Sequence, residues 1–470
     1  MQSAWLVLLI VGGYIAILAA ISFLAGRSSR TSGSFASGGK VFPAVLIGFL
    51  LASEFIGTTA SIGTAQAAYE SGISAAWNVV SLGVGFVLFS LLLARKYRDL
   101  GENTISGALA RTYGQPVRIA TSLVMVCALL IVAVSVYASG GAILSSLLGI
   151  DRSLAIVLVG ILATAYVSVG GMRSVVYTNF LHALVKLVGI VVLAVVGVTR
   201  VGGMDQLTAS LPPDMFSLDG VGVSQILAWM IAGVGATFAT QYVVQAITTV
   251  GDSTKAQRAG FYSAVVLIPY GILAALVGVC AAALFPGIAS IQAMPALVVE
   301  LDPLLAGVVV AGLAGAMFGT IAALTIGAST LLFKDFYQPY FNKTSDERRN
   351  LVFIRVAAGV AGLLPIVLAL YASDVLAVTF LAKALRATLA VLVLLMFYAP
   401  RYGTRGGALW TIVIALVATI GWFLAGSPFG VDEAYVAVAV PIVVMTLSQL
   451  FRRRGADAPA ETTSTEPVAR

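Results

Sequence analysis

Four ionisable side chains lie deep inside long apolar runs of this sequence: Glu54, Lys186, Lys383 and Arg386. At 1.5 Å of helical rise per residue, Glu54 and Lys186 sit about 18 and 15 Å into their runs, Lys383 and Arg386 about 12 and 17 Å. A charge at such depth is costly, so each is a functional suspect. Arg386 offers the planar fork that suits a carboxylate. Glu54 suits an amine or hydroxyls, or it pairs internally with Lys186; the sequence leaves both open. Lys186 follows Asn179 by seven residues, two helical turns, so the two share a face with His182 between them. His182 is the single histidine, and its leading role is packing or hydrogen bonding, with proton relay second.

Two of the runs carry helix-weakening stretches. One reads Ser53-Glu54-Phe55-Ile56-Gly57-Thr58-Thr59-Ala60-Ser61-Ile62-Gly63, the other Gly233-Val234-Gly235-Ala236-Thr237-Phe238-Ala239-Thr240-Gln241. Glycine and hydroxyl residues at such places leave backbone groups free to hold an ion or solute. Close packing through small residues is the competing use. Ser53, Glu54, Gly57, Thr58, Thr237, Gln241, Lys383 and Arg386 are the candidate solute-binding residues. Three deep cations against one anion favour a small carboxylate or amino-acid-like solute over a sugar.

The elements that must position these groups are membrane helices. Apolar residues make up 60% of the 470 and charged residues only 10%, against roughly 25% charged in soluble domains; mean hydropathy is +1.02. With about 20 apolar residues needed to span a bilayer, hydropathy and turn signals predict an all-α protein of thirteen transmembrane helices. They run near 4–26, 42–72, 76–96, 117–149, 153–170, 176–200, 224–249, 259–286, 303–333, 350–371, 375–398, 407–426 and 433–451. Met1 to Ile10 lacks a basic segment and cleavage site, so it reads as part of the first span. Cys127 and Cys280 read as small core residues.

Basic residues set the orientation. With the N-terminus outside, 22 Lys and Arg fall in inner segments and only Arg152 and Arg200 outside, an asymmetry that places the C-terminus in the cytoplasm. The net charge of +7 is thereby explained without nucleic acid. The expected location is the inner (plasma) membrane of a bacterial-type cell, with the lipid bilayer as a partner. Leaving out the first span and the last two, ten helices divide into two sets of five that enter from opposite sides. That is the inverted-repeat architecture of transporters, whose sites lie at midplane beside the broken first helix of each repeat. The expected organisation is 1–41 as a peripheral helix and inner linker, 42–200 as the first repeat, 201–223 as an outer loop, 224–398 as the second repeat, 399–452 as two peripheral helices, and 453–470 as a disordered tail.

The chain resembles the sodium–solute symporter family, which includes sodium/glucose and sodium/proline symporters. Ala52 to Gly57 looks like its first core helix, and Val169 to Asn179 is similar to its Gly-Gly-x-x-x-Val-x-Trp-Thr-Asp motif. Thr104 to Gly114 resembles its inner helix, and Leu305 to Tyr337, ending Lys334-Asp335-Phe336-Tyr337, its eighth core helix. The resemblance implies a carrier working by alternating access as a monomer, with no cofactor and a coupling Na+ or H+. It implies a sodium site at the carbonyls of Ile47, Leu50 and Ala316 and two hydroxyls at positions 319 and 320. Those positions hold Gly319 and Thr320, and Asn179 stands where the motif has aspartate. A hard cation wants oxygen ligands and negative charge, so both departures count against sodium. Lys186 then reads as a substitute for the ion, making transport proton-coupled or sodium-independent; the alternative is an ordinary sodium symporter using Thr320 and backbone carbonyls.

Two other classes fit poorly. A channel needs a continuous polar path, whereas polar groups here cluster in mid-span. An intramembrane enzyme needs Gly-x-Ser-x-Gly, His-Glu-x-x-His or paired aspartates, and none is present.

Overall fold

A computed structural model describes residues 2–26, 31–38, 41–342, 346–371 and 375–450. The tail expectation at 453–470 lies outside them, as does the side chain of Val169 in the family motif. Among the described residues there is no strand, only an isolated bridge between Phe42 and Val250. The principal helices are α1 (Gln2–Gly26), α2 (Ala44–Phe55), α3 (Thr64–Ser71), α4 (Trp77–Leu92), α5 (Ile105–Tyr113), α6 (Gln115–Leu148), α7 (Arg152–Val201), α8 (Val223–Ala239), α9 (Gln241–Ile247), α10 (Ser253–Leu284), α11 (Pro303–Leu331), α12 (Glu347–Ala369), α13 (Val375–Tyr398), α14 (Arg405–Leu424) and α15 (Glu433–Leu450).

Among the described residues ten helices are long and apolar enough to cross a bilayer, or eleven when the bent pair α8–α9 counts as one. Thirteen were expected. The difference has two sources. A break leaves α2 short while helical structure runs from Thr59 to Leu92, and α7 is one helical run holding two apolar stretches, Arg152–Ala165 and Met172–Val201. Within 59–92, Gly72 ends α3 at φ +75°, a conformation that favours glycine, and a Cβ there would also collide with the backbone of Met215.

Hydrocarbon offers no hydrogen bonds, so each span must satisfy its own backbone and pack on its neighbours through shape. Small residues provide that fit. Gly235 of α8 presses on the backbone of Ala387 in α13, Gly233 on Ser81 in α4, and Gly48 of α2 on Ala259 and Tyr262 in α10. Gly233 and Gly235 are therefore packing positions, the competing use noted above. Of the cysteines, Cys280 is buried but Cys127 is exposed. The expectation of a core Cys127 fails because a surface facing lipid is as apolar as the core.

One end of the bundle collects the basic residues. There Arg98 donates to the carbonyl of Val250 at 2.7 Å, and Arg118 pairs with Asp335 at 2.7 Å. Asp335, fully buried, also accepts from Ser106 of α5 and Ser122 of α6. This one carboxylate ties α5, α6 and the segment Leu332–Tyr337 that follows α11 together. Replacing it leaves a guanidinium and two hydroxyls without their acceptor. Asp335→Ala should therefore lower stability by about 3 kcal/mol, the low end for a broken buried pair because Arg118 is partly exposed. Thermal unfolding of the detergent-purified protein measures this, and an unchanged melting temperature would refute it.

Candidate functional site

Two helices are interrupted near mid-span. After α2, Ile56 turns to φ −86°, ψ 63°; after α8, Thr240 is extended at φ −79°, ψ 133°, and α9 leaves at 48°. The sequence placed the first break within 53–63 and the second within 233–241; it is Thr240 that opens the latter. A helix end leaves carbonyls without intrahelical partners. At the α2 end, Ala52 O still accepts from Ile56 N at 3.0 Å. The next two carbonyls take side chains: Ser53 O accepts from Lys186 Nζ at 2.8 Å, and Glu54 O from Thr320 Oγ1 at 3.1 Å. A cation at a helix C-terminus meets the negative end of its dipole, so this is a favourable berth for a deep ammonium.

Around that berth the polar groups interlock. Lys186 Nζ also donates to Ser53 Oγ at 2.9 Å, and Ser53 Oγ donates to Asn179 Oδ1 at 2.8 Å. Asn179 Nδ2 donates to Glu54 Oε1 at 3.2 Å. No ion pair joins Glu54 to Lys186; Ser53 and Asn179 stand between them. His182 Nδ1 hydrogen-bonds the hydroxyl of Tyr14, on the peripheral helix α1, at 2.6 Å. Gly319 makes room for this arrangement: a Cβ there would strike Asn179 Oδ1 and come within 3.0 Å of His182 Cδ2.

On the other side of the break lies a small cavity of about 50 Å³, lined by Glu54, Gly57, Thr59, Asn78, Tyr242, Thr320, Lys383 and Arg386 among others. Lys383 Nζ donates to Asn78 Oδ1 at 3.0 Å and lies 4.3 Å from the Phe380 ring centre. Arg386 holds Thr240 Oγ1 and the carbonyl of Ala128 only at 3.4 and 3.5 Å, and its Nε has no partner. Glu54 Oε2 and Thr59 Oγ1 are likewise unpartnered.

Among the candidate residues, the cavity thus brings together Glu54, Gly57, Lys383, Arg386 and Thr320. Ser53 lies behind it, in the Lys186 network. Thr58 is turned to Ser139 Oγ (2.6 Å), and Thr237 donates to its own helix at Val234 O (2.9 Å) while packing on Gly85. Gln241 is used at the basic end, accepting from Ile105 N and donating to Asn103 O, both at 3.0 Å. Ile47 and Leu50 sit in the regular part of α2 with buried side chains, about two and a half and one and a half turns before the break, and Ala316 lies one turn before Thr320 within α11. The carbonyls engaged beside Thr320 and Lys186 are those of Glu54 and Ser53. Asn78, Tyr242, Thr59 and Thr379 also line the cavity; as ordinary polar residues in apolar runs they give no signal of depth or direction in the sequence. Among the described residues no cluster of His, Cys, Asp or Glu could hold a metal ion.

Comparison with known proteins follows this geometry. A model of the sodium:solute symporter family matches residues 35–415. A monocarboxylic acid transporter of Corynebacterium glutamicum is 25% identical, covering 90% of this chain and 84% of its own. A high-affinity proline transporter of Bacillus subtilis is 24% identical, covering 78% and 81%. Among solved structures, a Na+-coupled sialic acid symporter in a substrate-bound outward-open state superposes with TM-score 0.81 at 17% identity, over 96% of this chain and 98% of that one. Mhp1, a nucleobase-cation-symport-1 transporter in a closed conformation, gives 0.57 at 15% identity, over 90% and 95%. These likenesses of structure concern the fold.

Gly319→Ser supplies the hydroxyl but drives it into Asn179. That variant should lose transport by about tenfold or more, since small displacements in a site are costly, without gaining dependence on sodium. Uptake with and without sodium is the measurement, and undiminished uptake would show the space to be free.

Proposed function

The chain belongs to the sodium:solute symporter family, and from that premise we propose that it imports a short carboxylate, with Lys186 standing where a relative holds its sodium ion. It is a membrane transporter and not an enzyme. Its membrane helices and bacterial relatives point to the plasma membrane. The basic end is the cytoplasmic one under the positive-inside rule, and two five-helix repeats, 42–200 and 224–398, rock about the paired breaks.

One observation carries the solute class: a cavity at the breaks holds two cations, Arg386 and Lys383, against one carboxylate, Glu54. Arg386 keeps its Nε free of protein partners, as a guanidinium does when its fork awaits two oxygens. The break of the first core helix adds to this. Gly57 and Thr59 at the start of the following helical segment line the cavity, and a helix N-terminus favours an anion. The monocarboxylic acid transporter among the relatives has a solute of the same chemistry.

Sodium is the coupling ion of the family, and the residues here suit it poorly. A sodium ion needs several oxygens facing it without competing donors. Ser53 O already receives an ammonium, Thr320 Oγ1 is turned to Glu54 O, and the second hydroxyl is absent at Gly319. An ammonium supplies the missing charge from within the protein. It can also release and recover a proton, so proton-coupled or sodium-independent uptake is the expected mode.

Uptake by purified protein in vesicles tests both parts. An imposed proton gradient should drive accumulation of a short carboxylate, and a sodium gradient at equal pH should not. Sodium-driven accumulation of ordinary strength would remove the lysine reading and restore the plain sodium symporter. Arg386→Lys, which keeps the charge and loses the fork, should weaken carboxylate uptake at least tenfold, because bidentate sites do not accept lysine as an equivalent. Unchanged uptake by that variant would remove the carboxylate assignment.

A further inference from the structure

Three buried polar atoms without protein partners belong to residues that line one small cavity: Arg386 Nε, Glu54 Oε2 and Thr59 Oγ1. Their residues are only 2%, 2% and 6% exposed. A fold rarely leaves buried polar atoms unpaired, and three in one place describe the complement that completes them. Nε is an N–H donor and wants an acceptor. Oε2 of a carboxylate can only accept, so it wants a donor. The Thr59 hydroxyl serves either way.

The orientation of Glu54 is not free to vary. Asn179 Nδ2 donates to Oε1, while Asn179 Oδ1 receives the hydroxyl of Ser53, which in turn receives Lys186. Flipping the Asn179 amide would set its oxygen against the Glu54 carboxylate oxygen, acceptor against acceptor, so the network fixes which end faces Glu54. Oε2 is thereby left without a protein partner.

Charge narrows the ligand further. The lining carries Arg386 and Lys383 against Glu54, one cation in excess. Lys383 is held by Asn78 and the Phe380 ring, neither of which cancels its charge. A monoanion balances the cavity, and a zwitterion brings no net charge to it. At about 50 Å³ the cavity has room for only a few water molecules, so the solute is short.

We infer that the solute is a short 2-hydroxy monocarboxylate, its carboxylate on Arg386 and its hydroxyl donating to Glu54 Oε2, which makes Glu54 the specificity-determining residue. This rests on the carboxylate reading above and adds the hydroxyl to it. A site built to hydrogen-bond a hydroxyl rejects the analogue lacking it far more strongly than an apolar pocket discriminates a methylene.

The experiment is binding of L-lactate, D-lactate, propionate and alanine to the purified full chain, measured by calorimetry. One lactate enantiomer should bind at least tenfold more tightly than propionate, and more tightly than zwitterionic alanine. In Glu54→Leu nothing at this position can pair with the hydroxyl, whereas a glutamine amide could still donate to it. That variant should bind lactate and propionate within about threefold of each other. Arg386→Lys should weaken both acids alike. Propionate matching lactate in the native chain, a lactate preference kept by Glu54→Leu, or alanine binding best would each overturn the inference. If no carboxylate binds the native chain, the carboxylate reading itself fails with it. Should Glu54→Leu not fold, the comparison of probes on the native chain decides alone.

Discussion

Inside a bilayer a backbone carbonyl that loses its helical partner has no water to turn to. The whole centre of this protein answers that constraint at the end of α2. Two carbonyls released by the break, Ser53 O and Glu54 O, are paired by Lys186 Nζ and Thr320 Oγ1. Each partner comes from a different helix, α7 and α11, so satisfying the break also docks those helices on α2. The ammonium sits at the negative end of the half-helix, where its charge is least costly. An ion in that position would do the same electrostatic work and could leave; a lysine stays attached.

The second break repeats the device with different parts. Thr240, the extended residue between α8 and α9, turns its hydroxyl to Ala236 O and receives Arg386. A cation from α13 thus lies near the C-terminal end of a half-helix, as Lys186 does at α2. The two differ in how fully they are engaged. Lys186 has two short hydrogen bonds to Ser53, whereas Arg386 has two long ones and an unpartnered Nε. The first is a closed structural berth and the second an open one. This asymmetry separates a cation fully engaged by the protein from one that is not.

Asn179 and Gly319 belong together in this account. A neutral amide can both accept from Ser53 and donate to Glu54, which an aspartate cannot. Its side chain fills the space that a Cβ at Gly319 would need. The glycine at 319 and the amide at 179 are therefore matched to each other in space. Glycine elsewhere in the bundle serves a different purpose, letting α8 approach α4 and α13 closely.

Much of this was legible in the residues themselves. Hydropathy and the placement of Lys and Arg determined a multi-pass helical membrane protein, because the cost of burying charge in hydrocarbon acts on each residue alone. Glu54, Lys186, Lys383 and Arg386 stood out for the same reason, and the glycine and hydroxyl stretches at 53–63 and 233–241 located both breaks within a few residues. What a helix faces is another matter. The sequence put Glu54 and Lys186 at similar depth but could not separate an ion pair from two distinct berths; only the packing of α7 on α2 places Ser53 and Asn179 between them. Thr58, Thr237 and Gln241 looked like binding residues and turned out to hydrogen-bond other segments or their own helix, while Asn78 and Tyr242 gave no sign of lining the cavity. Depth along a helix is a property of the chain, but direction around it is set by neighbours hundreds of residues away.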